Sequence, residues 1–231
     1  MDIREMSQAE AVKGVNQVPF RIRGGIAPVV EWEMDGSFAL FFEHFVLMYR
    51  DPKVAVTGSI PRGAMKRMIG KMPIVLAKAG GHGRLALGRS APGEIVGVPV
   101  EPGQTLEVRE HQFLAATDTL AYGFKRIRGI SNLLFGGNGF FVDTFQSGRE
   151  AGAVWVHAHG NLIAVELGAG EQLDVEPSRW CYKDPSVTMT TVPINVSARL
   201  FASTSLMLNR FTGPGRLGLQ SMAVYLNTDS N

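Results

Sequence analysis

The feature that most constrains this chain is a phrase that returns twice at a fixed interval. Val29-Val30-Glu31-Trp32-Glu33-Met34-Asp35-Gly36 is echoed by Ile95-Val96-Gly97-Val98-Pro99-Val100-Glu101-Pro102-Gly103. It returns again as Leu162-Ile163-Ala164-Val165-Glu166-Leu167-Gly168-Ala169-Gly170, and the closing glycines are spaced by 67 residues both times. Each phrase alternates apolar and polar residues, ends in a glycine turn, and leads into a second alternating run: Phe38 to Met48, Thr105 to Leu114 and Gln172 to Cys181. Such a pattern predicts a β-hairpin.

A second phrase follows with a similar period. Gly83-Arg84-Leu85-Ala86-Leu87-Gly88 matches Gly152-Ala153-Val154-Trp155-Val156-His157 and Gly215-Arg216-Leu217-Gly218-Leu219-Gln220. Each is preceded by a short apolar strand, Ile74 to Ala79, Phe140 to Phe145 and Leu206 to Phe211. Two phrases in one order, three times over, are most economically three copies of one multi-strand unit. The expected fold is mainly β, with internally triplicated β-sandwich units on a 67-residue period. Short helical connectors are expected at Arg62–Gly70, Ile127–Gly137 and Ser197–Ser205. The domain reading is an N-terminal extension over 1–19, one compact β domain over 20–226 with repeats near 20–88, 89–156 and 157–226, and a polar tail over 227–231.

Composition agrees with a strand-rich globular chain and excludes several classes. Of 231 residues, 45% are hydrophobic and 19% charged, which sets the chain apart from disordered proteins. The 27 glycines and 12 prolines cut helices short and argue against a long-helix bundle. No stretch reaches the roughly 18 apolar residues of a spanning helix. The run Phe38 to Tyr49 is interrupted by Glu43 and His44. Met1 to Gly14 has no apolar core of a secretory signal, and the single cysteine, Cys181, cannot form an internal disulfide; the expectation is a cytoplasmic protein. A net charge of +2 announces neither a nucleic-acid nor a membrane surface.

Candidate chemistry is sparse. His157-Ala158-His159 lies on a predicted strand, where residues two apart share a face and could share a metal, with Glu166 as a third ligand. The outline resembles the cupin metal motif, but Gly152 stands one residue too close to the pair and Glu166 comes too late. A polar patch on a strand is the plainer reading. The runs Gly80-Gly81-His82-Gly83 and Gly136-Gly137-Asn138-Gly139 are followed by strands and lack a Lys-Ser/Thr ending, so they read as turns and not as phosphate cradles. Cys181 follows Trp180 on a half-buried strand, with no nucleophile elbow anywhere, and reads as a buried hydrophobe. Basic residues at Arg62, Lys66, Arg67 and Lys71, and at Lys125, Arg126 and Arg128, read as solvated connector faces. No catalytic residue, cofactor or metal is assigned.

The run Leu208-Asn209-Arg210-Phe211-Thr212-Gly213-Pro214-Gly215-Arg216-Leu217-Gly218-Leu219-Gln220-Ser221, together with the two recurring phrases, resembles the mitochondrial biogenesis family named for altered inheritance of mitochondria. Its bacterial members were long known only as a domain of unknown function. The phrases Gly93-Glu94-Ile95-Val96, His111-Gln112-Phe113-Leu114-Ala115 and Phe135-Gly136-Gly137-Asn138-Gly139-Phe140-Phe141 extend the likeness over Phe20 to Leu226. The resemblance implies a fold similar to that of the tryptophan RNA-binding attenuation protein, a trimeric assembly and a bacterial cytoplasmic relative, and it brings no catalytic residues.

The function expected is therefore a non-enzymatic oligomeric scaffold or binding module, a homo-oligomer with a protein partner possible. Nucleic-acid binding by a ring-like β assembly and a cupin-like metalloenzyme are the alternatives, the first disfavoured by the neutral charge. An aromatic run supplies the interface: alternation along one strand from Phe38 to Tyr49 places Phe41, Phe45 and Tyr49 on one face and Phe38 and Phe42 on the other.

Overall fold

A computed structural model of the chain describes residues 13–59, 76–127, 140–193 and 207–223. The three expected helical connectors fall essentially on the intervening segments, outside the described residues, as does the run Gly136 to Gly139. The described residues form an almost wholly β structure, as the alternation requires. Strands β1 (Lys13–Val15), β2 (Val18–Arg23) and β3 (Val29–Asp35) lead to β4 (Leu40–Glu43), β5 (Leu47–Arg50), β6 (Val54–Ser59) and the long β7 (Leu76–Gly88). Next come β8 (Gly93–Val100), β9 (Thr105–Arg109), β10 (Phe113–Thr117), β11 (Leu120–Ile127), β12 (Phe140–Ser147) and β13 (Gly152–His159). The chain then forms β14 (Leu162–Leu167), β15 (Gln172–Val175), β16 (Trp180–Lys183), β17 (Thr188–Pro193), β18 (Met207–Thr212) and β19 (Gly215–Gln220).

All the pairings are antiparallel. The largest sheet runs β1-β2-β3-β7-β4-β10-β13-β8, with β5 and β6 also pairing β7. A second runs β11-β12-β9-β16-β19-β14, and a third β15-β18-β17. The three glycines of the recurring phrase, Gly36, Gly103 and Gly170, have φ of 85°, 78° and 76°, a conformation that costs glycine least. Three apolar clusters lie between the sheets. The first holds Trp32, Phe42 and Trp155, the second Phe41, Phe113 and Phe145, and the third Trp180, Phe211 and Leu217.

The glycine turns do not close the expected hairpins: β3, β8 and β14 pair with β7, β13 and β19, whereas the strands after the turns, β4, β9 and β15, pair with β7, β12 and β18 and not with the strands before them. Three further expectations need correction. The stretch read as an N-terminal extension over 1–19 joins the largest sheet at its end, where Lys13 to Val15 pairs with Val18 to Phe20 as an antiparallel hairpin. The run Gly80 to Gly83 is no turn: β7 continues through it, bending at Gly81 with φ 114°. A Cβ on Gly81 would sit 2.6 Å from the carbonyl oxygen of Lys53, so only glycine fits the crossing. That bend lets one strand pair with β3 and β5 at one end and β4 and β6 at the other.

The third correction concerns the aromatic run. Phe38 to Tyr49 is not one strand; a single 3-10 turn at His44–Val46 separates β4 from β5 and breaks the phase of alternation. Phe41 is buried, 9% exposed, among Phe113, Tyr122 and Phe145, so it belongs to the core and not to an interface. Phe42, on the opposite face of β4, fills the first cluster beside Leu40. Phe45 and Tyr49 remain at the surface.

Candidate functional site

Two places carry the sequence candidates: a buried polar layer beneath β13 and an exposed edge at β5. His157 and His159 both project from β13, two residues apart, with ring centroids 5.2 Å from one another. His157 is fully buried, and its imidazole is packed so tightly that a Cβ on Gly93 would lie 2.5 Å from its Cε1. Burial, reinforced by His159 and Arg89, pushes His157 down to about 4. His159 is shifted down as well, by burial first and then by Arg89. Both rings are therefore neutral at pH 7.

Glu166 does not join them. It stands exposed on β14, opposite Arg216, whereas the end of β14 near His159 is Leu162, opposite Gln220. His159 instead accepts its company from amides: its backbone N–H donates to Gln220 Oε1 at 3.2 Å, and its Nδ1 lies 3.3 Å from Gln112 Oε1. Gln220 in turn donates to the Ser178 carbonyl, which also receives Arg109 Nη1 at 2.6 Å. Among the described residues no three His, Cys, Asp or Glu side chains gather closely enough to hold a metal ion. The layer is a hydrogen-bonded spacer between sheets, built where β9, β13, β16 and β19 converge.

Both ring nitrogens of His157, like the indole N–H groups of Trp32 and Trp155, are buried without a hydrogen-bond partner among the described residues. The buried charges nearby are paired. Arg89 meets Glu43 at 2.8 Å and the Phe113 carbonyl at 2.7 Å. Lys183 meets Glu107 at 2.8 Å, and Glu107 is held from its other oxygen by Lys125. Lys125, expected on a solvated connector face, is exposed but lies on β11 and forms an ion pair with Glu107, while Arg62, Lys66, Arg67, Lys71 and Arg128 lie outside the described residues. Cys181 is fully buried and its thiol is pushed up to about 12, which leaves no thiolate for nucleophilic work. An open pocket of about 340 Å³ lies where β1 crosses β8, lined by Val15, Phe20, Ile95 and Pro99 with no titratable side chain.

The β5 edge is of a different kind. All four of its residues are exposed, and three are large and apolar: Leu47, Met48 at 62% and Tyr49. Phe45, 58% exposed, lies beside them with the Arg89 guanidinium 5.3 Å from its ring centre. Tyr49 is anchored at its far end, where the hydroxyl donates to Glu31 Oε2, and burial together with that carboxylate pushes the phenol up to about 12. Glu31 also receives Arg23 at 2.8 Å, so the carboxylate that holds the Tyr49 hydroxyl is itself fixed. Leu47 and Met48 were not singled out from the sequence, because a Leu-Met pair in an apolar run carries no mark of exposure.

Known proteins bear on fold and family. Residues 20–222 match the family model described as Mitochondrial biogenesis AIM24. No curated protein matches the sequence. Among solved structures, protein SPYM3_0169 from Streptococcus pyogenes is similar, with a TM-score of 0.67 at 20% identity over 88% of this chain and 93% of that one. At that identity the likeness is one of fold.

Proposed function

The chain belongs to the mitochondrial biogenesis AIM24 family, and we propose that it serves there as a non-enzymatic, homo-oligomeric β scaffold or binding module. The observation that carries this reading is the exposed apolar edge of β5 with Phe45 beside it, four large side chains exposed from Phe45 to Tyr49 that water solvates poorly. The interior polar layer supports it from the other side. Its imidazoles are neutral, His159 is held by amides, and no nucleophile, base and orienting acid meet there among the described residues.

The same reading includes a threefold internal architecture of the ring-forming kind that the family resemblance implies. Its support is recurrence in the pairings. β3 with β7, β8 with β13 and β14 with β19 join the first and last strands of each unit, and β4 with β7, β9 with β12 and β15 with β18 repeat a second pairing. The third strands β5, β10 and β16 each carry a bulge at the same place, between Leu47 and Tyr49, Phe113 and Ala115, and Trp180 and Tyr182. Units spanning 29–88, 93–159 and 162–220 accommodate these pairings. The last boundary then falls at Gly160 and not between 156 and 157, because β13 runs through that point.

Three copies is the number the family resemblance favours, and a cytoplasmic setting fits the lone buried thiol of Cys181. Native mass spectrometry of the protein purified without added metal tests the proposal. A multimer free of adducts is expected; a monomer at tens of micromolar, or a stoichiometric metal or small molecule, would overturn it.

A further inference from the structure

Neighbouring units are joined by one type of contact, used twice. The second strand of one unit pairs antiparallel with the third strand of the next: β4 with β10, and β9 with β16. The two junctions share a register. Ala115 faces Phe42 and Ala116 faces Phe41 in the first; Tyr182 faces Val108 and Lys183 faces Glu107 in the second. Ala115 and Tyr182 are each the residue that follows the recurring bulge, so the equivalence rests on backbone geometry.

A third junction of this type would join the second strand of the last unit, β15, to the third strand of the first, β5. Among the described residues neither strand has that partner: β5 pairs only β7, and β15 pairs only β18. Their burial reflects it. The counterparts β10 and β16 are buried throughout, whereas every residue of β5 is exposed and β15 is buried only at Val175. Other unpaired edges do not stand out in this way. β8 and β14 both lack a partner on their outer side, and so do β6, β11 and β17.

The geometry points to β5 of one copy pairing antiparallel with β15 of a second copy, head to tail, as the third junction. This deepens the oligomeric reading above and rests on it. Register follows from the second junction, since in the first the facing residue Phe42 comes six residues after Gly36. Tyr49 is the residue after the bulge, and Val175 follows Gly170 by five residues as Val108 follows Gly103 by five. Tyr49 then faces Val175, and Arg50 faces Asp174.

Those partners are chemically matched. The equivalent pair in the second junction, Lys183 and Glu107, is an ion pair of 2.8 Å. Arg50 and Asp174 repeat the same order of charge, cation on the third strand and anion on the second. Asp174 holds Arg210 through both oxygens at 2.7 Å, so Arg50 would share a carboxylate that already carries one cation, as Lys183 shares Glu107 with Lys125. Leu47, Met48 and Tyr49 would be covered in the way Phe113, Leu114 and Ala115 are covered in β10. Because the two edges differ, the contact is heterologous and generates a closed ring or an open filament, not an isologous dimer.

The test is the double variant Arg50→Cys, Asp174→Cys in the full chain, oxidised and run on a non-reducing gel beside native mass spectrometry of the wild type. Directly opposed residues of an antiparallel pair are within disulfide reach. Disulfide-linked multimers, with a multimeric wild type, are the expected result. A disulfide closed within one chain would mean that the edges meet intramolecularly, and would overturn the inference. A multimeric wild type with both cysteines unlinked would overturn the inference while leaving the oligomeric reading intact; a monomeric wild type would overturn both. As a second arm, Arg50→Asp, checked for native circular dichroism, is expected to raise the dissociation constant about tenfold or more by placing like charges across the junction. The charge-swapped double variant Arg50→Asp, Asp174→Arg in one chain is expected to restore assembly, and an unchanged constant for Arg50→Asp would count against the register.

Discussion

Phe41 and Phe45 show how four residues of chain separate a core side chain from a surface one. Phe41 sits in an aromatic cluster with Phe113 at 5.8 Å and Phe145 at 6.1 Å between ring centres, while the 3-10 turn delivers Phe45 to the outside. Phe41→Asp buries a carboxylate in that cluster and should cost at least about 4 kcal/mol, enough to leave little folded protein. Phe45→Asp should leave the monomer's circular dichroism and urea midpoint unchanged within about 0.5 kcal/mol. Equal effects of the two substitutions would contradict the placement of the turn. His157 yields a pH prediction with a definite sign. Folded, it titrates near 4; unfolded, near its ordinary 6.5. Between those values the unfolded chain binds a proton that the folded chain refuses, so the stability is complete above pH 6.5 and is lost as pH falls toward 4. The loss at pH 5 is on the order of 2 kcal/mol. Thermal unfolding at pH 7 and 5 should show it, and His157→Leu should shrink the difference.

Between elements, the β9–β16 junction is the most polar contact in the interior. Glu107 and Lys183 are both nearly inaccessible, and burial holds the Lys183 ammonium below its ordinary range against the pull of the carboxylate. Glu107→Gln removes the anion and leaves Lys183 buried without a counter-charge, a loss of roughly 3–5 kcal/mol. Adding Lys183→Met should recover a large part of it, because an apolar side chain of similar length needs no partner there. Chemical denaturation of the two variants checks this, and a double variant no more stable than the single one would show that the pair is not the unit that matters. The strands and their glycine turns were legible here because they depend on local chemistry: alternation and a glycine able to take positive φ at positions 36, 103 and 170. Their pairing was not, because β3, β8 and β14 find their partners in β7, β13 and β19, far along the chain, and not in the strands that follow the turns. The bend at Gly81 was not, because a glycine run means a turn or a kink depending on whether another backbone, that of Lys53, crosses it.

For the whole molecule, an assembly held by β5 makes stability depend on concentration. Raising the protein from about 1 to about 100 μM should lift the wild-type melting temperature by several degrees through mass action, and Arg50→Asp should flatten that dependence. A wild-type melting temperature that ignores concentration would remove the assembly from the account. The candidate metal trio belongs to this scale as well. His157 and His159 were visible as a same-face pair from their spacing alone, whereas Glu166 parted from them because β14 pairs β19 and not β13.

The amino-acid sequence by itself determined the β class, the strands and the glycine turns spaced 67 residues apart, since these follow from alternation and backbone permissiveness within a few residues of each other. It also pointed to the family through phrases that can be read without coordinates. Tertiary structure alone decided which aromatic residues are core, which histidine is neutral and buried, and which edges are left open. Burial and edge pairing depend on strands far apart in the chain, β4 on β10 and β9 on β16, and no local pattern encodes which of three similar edges finds its partner.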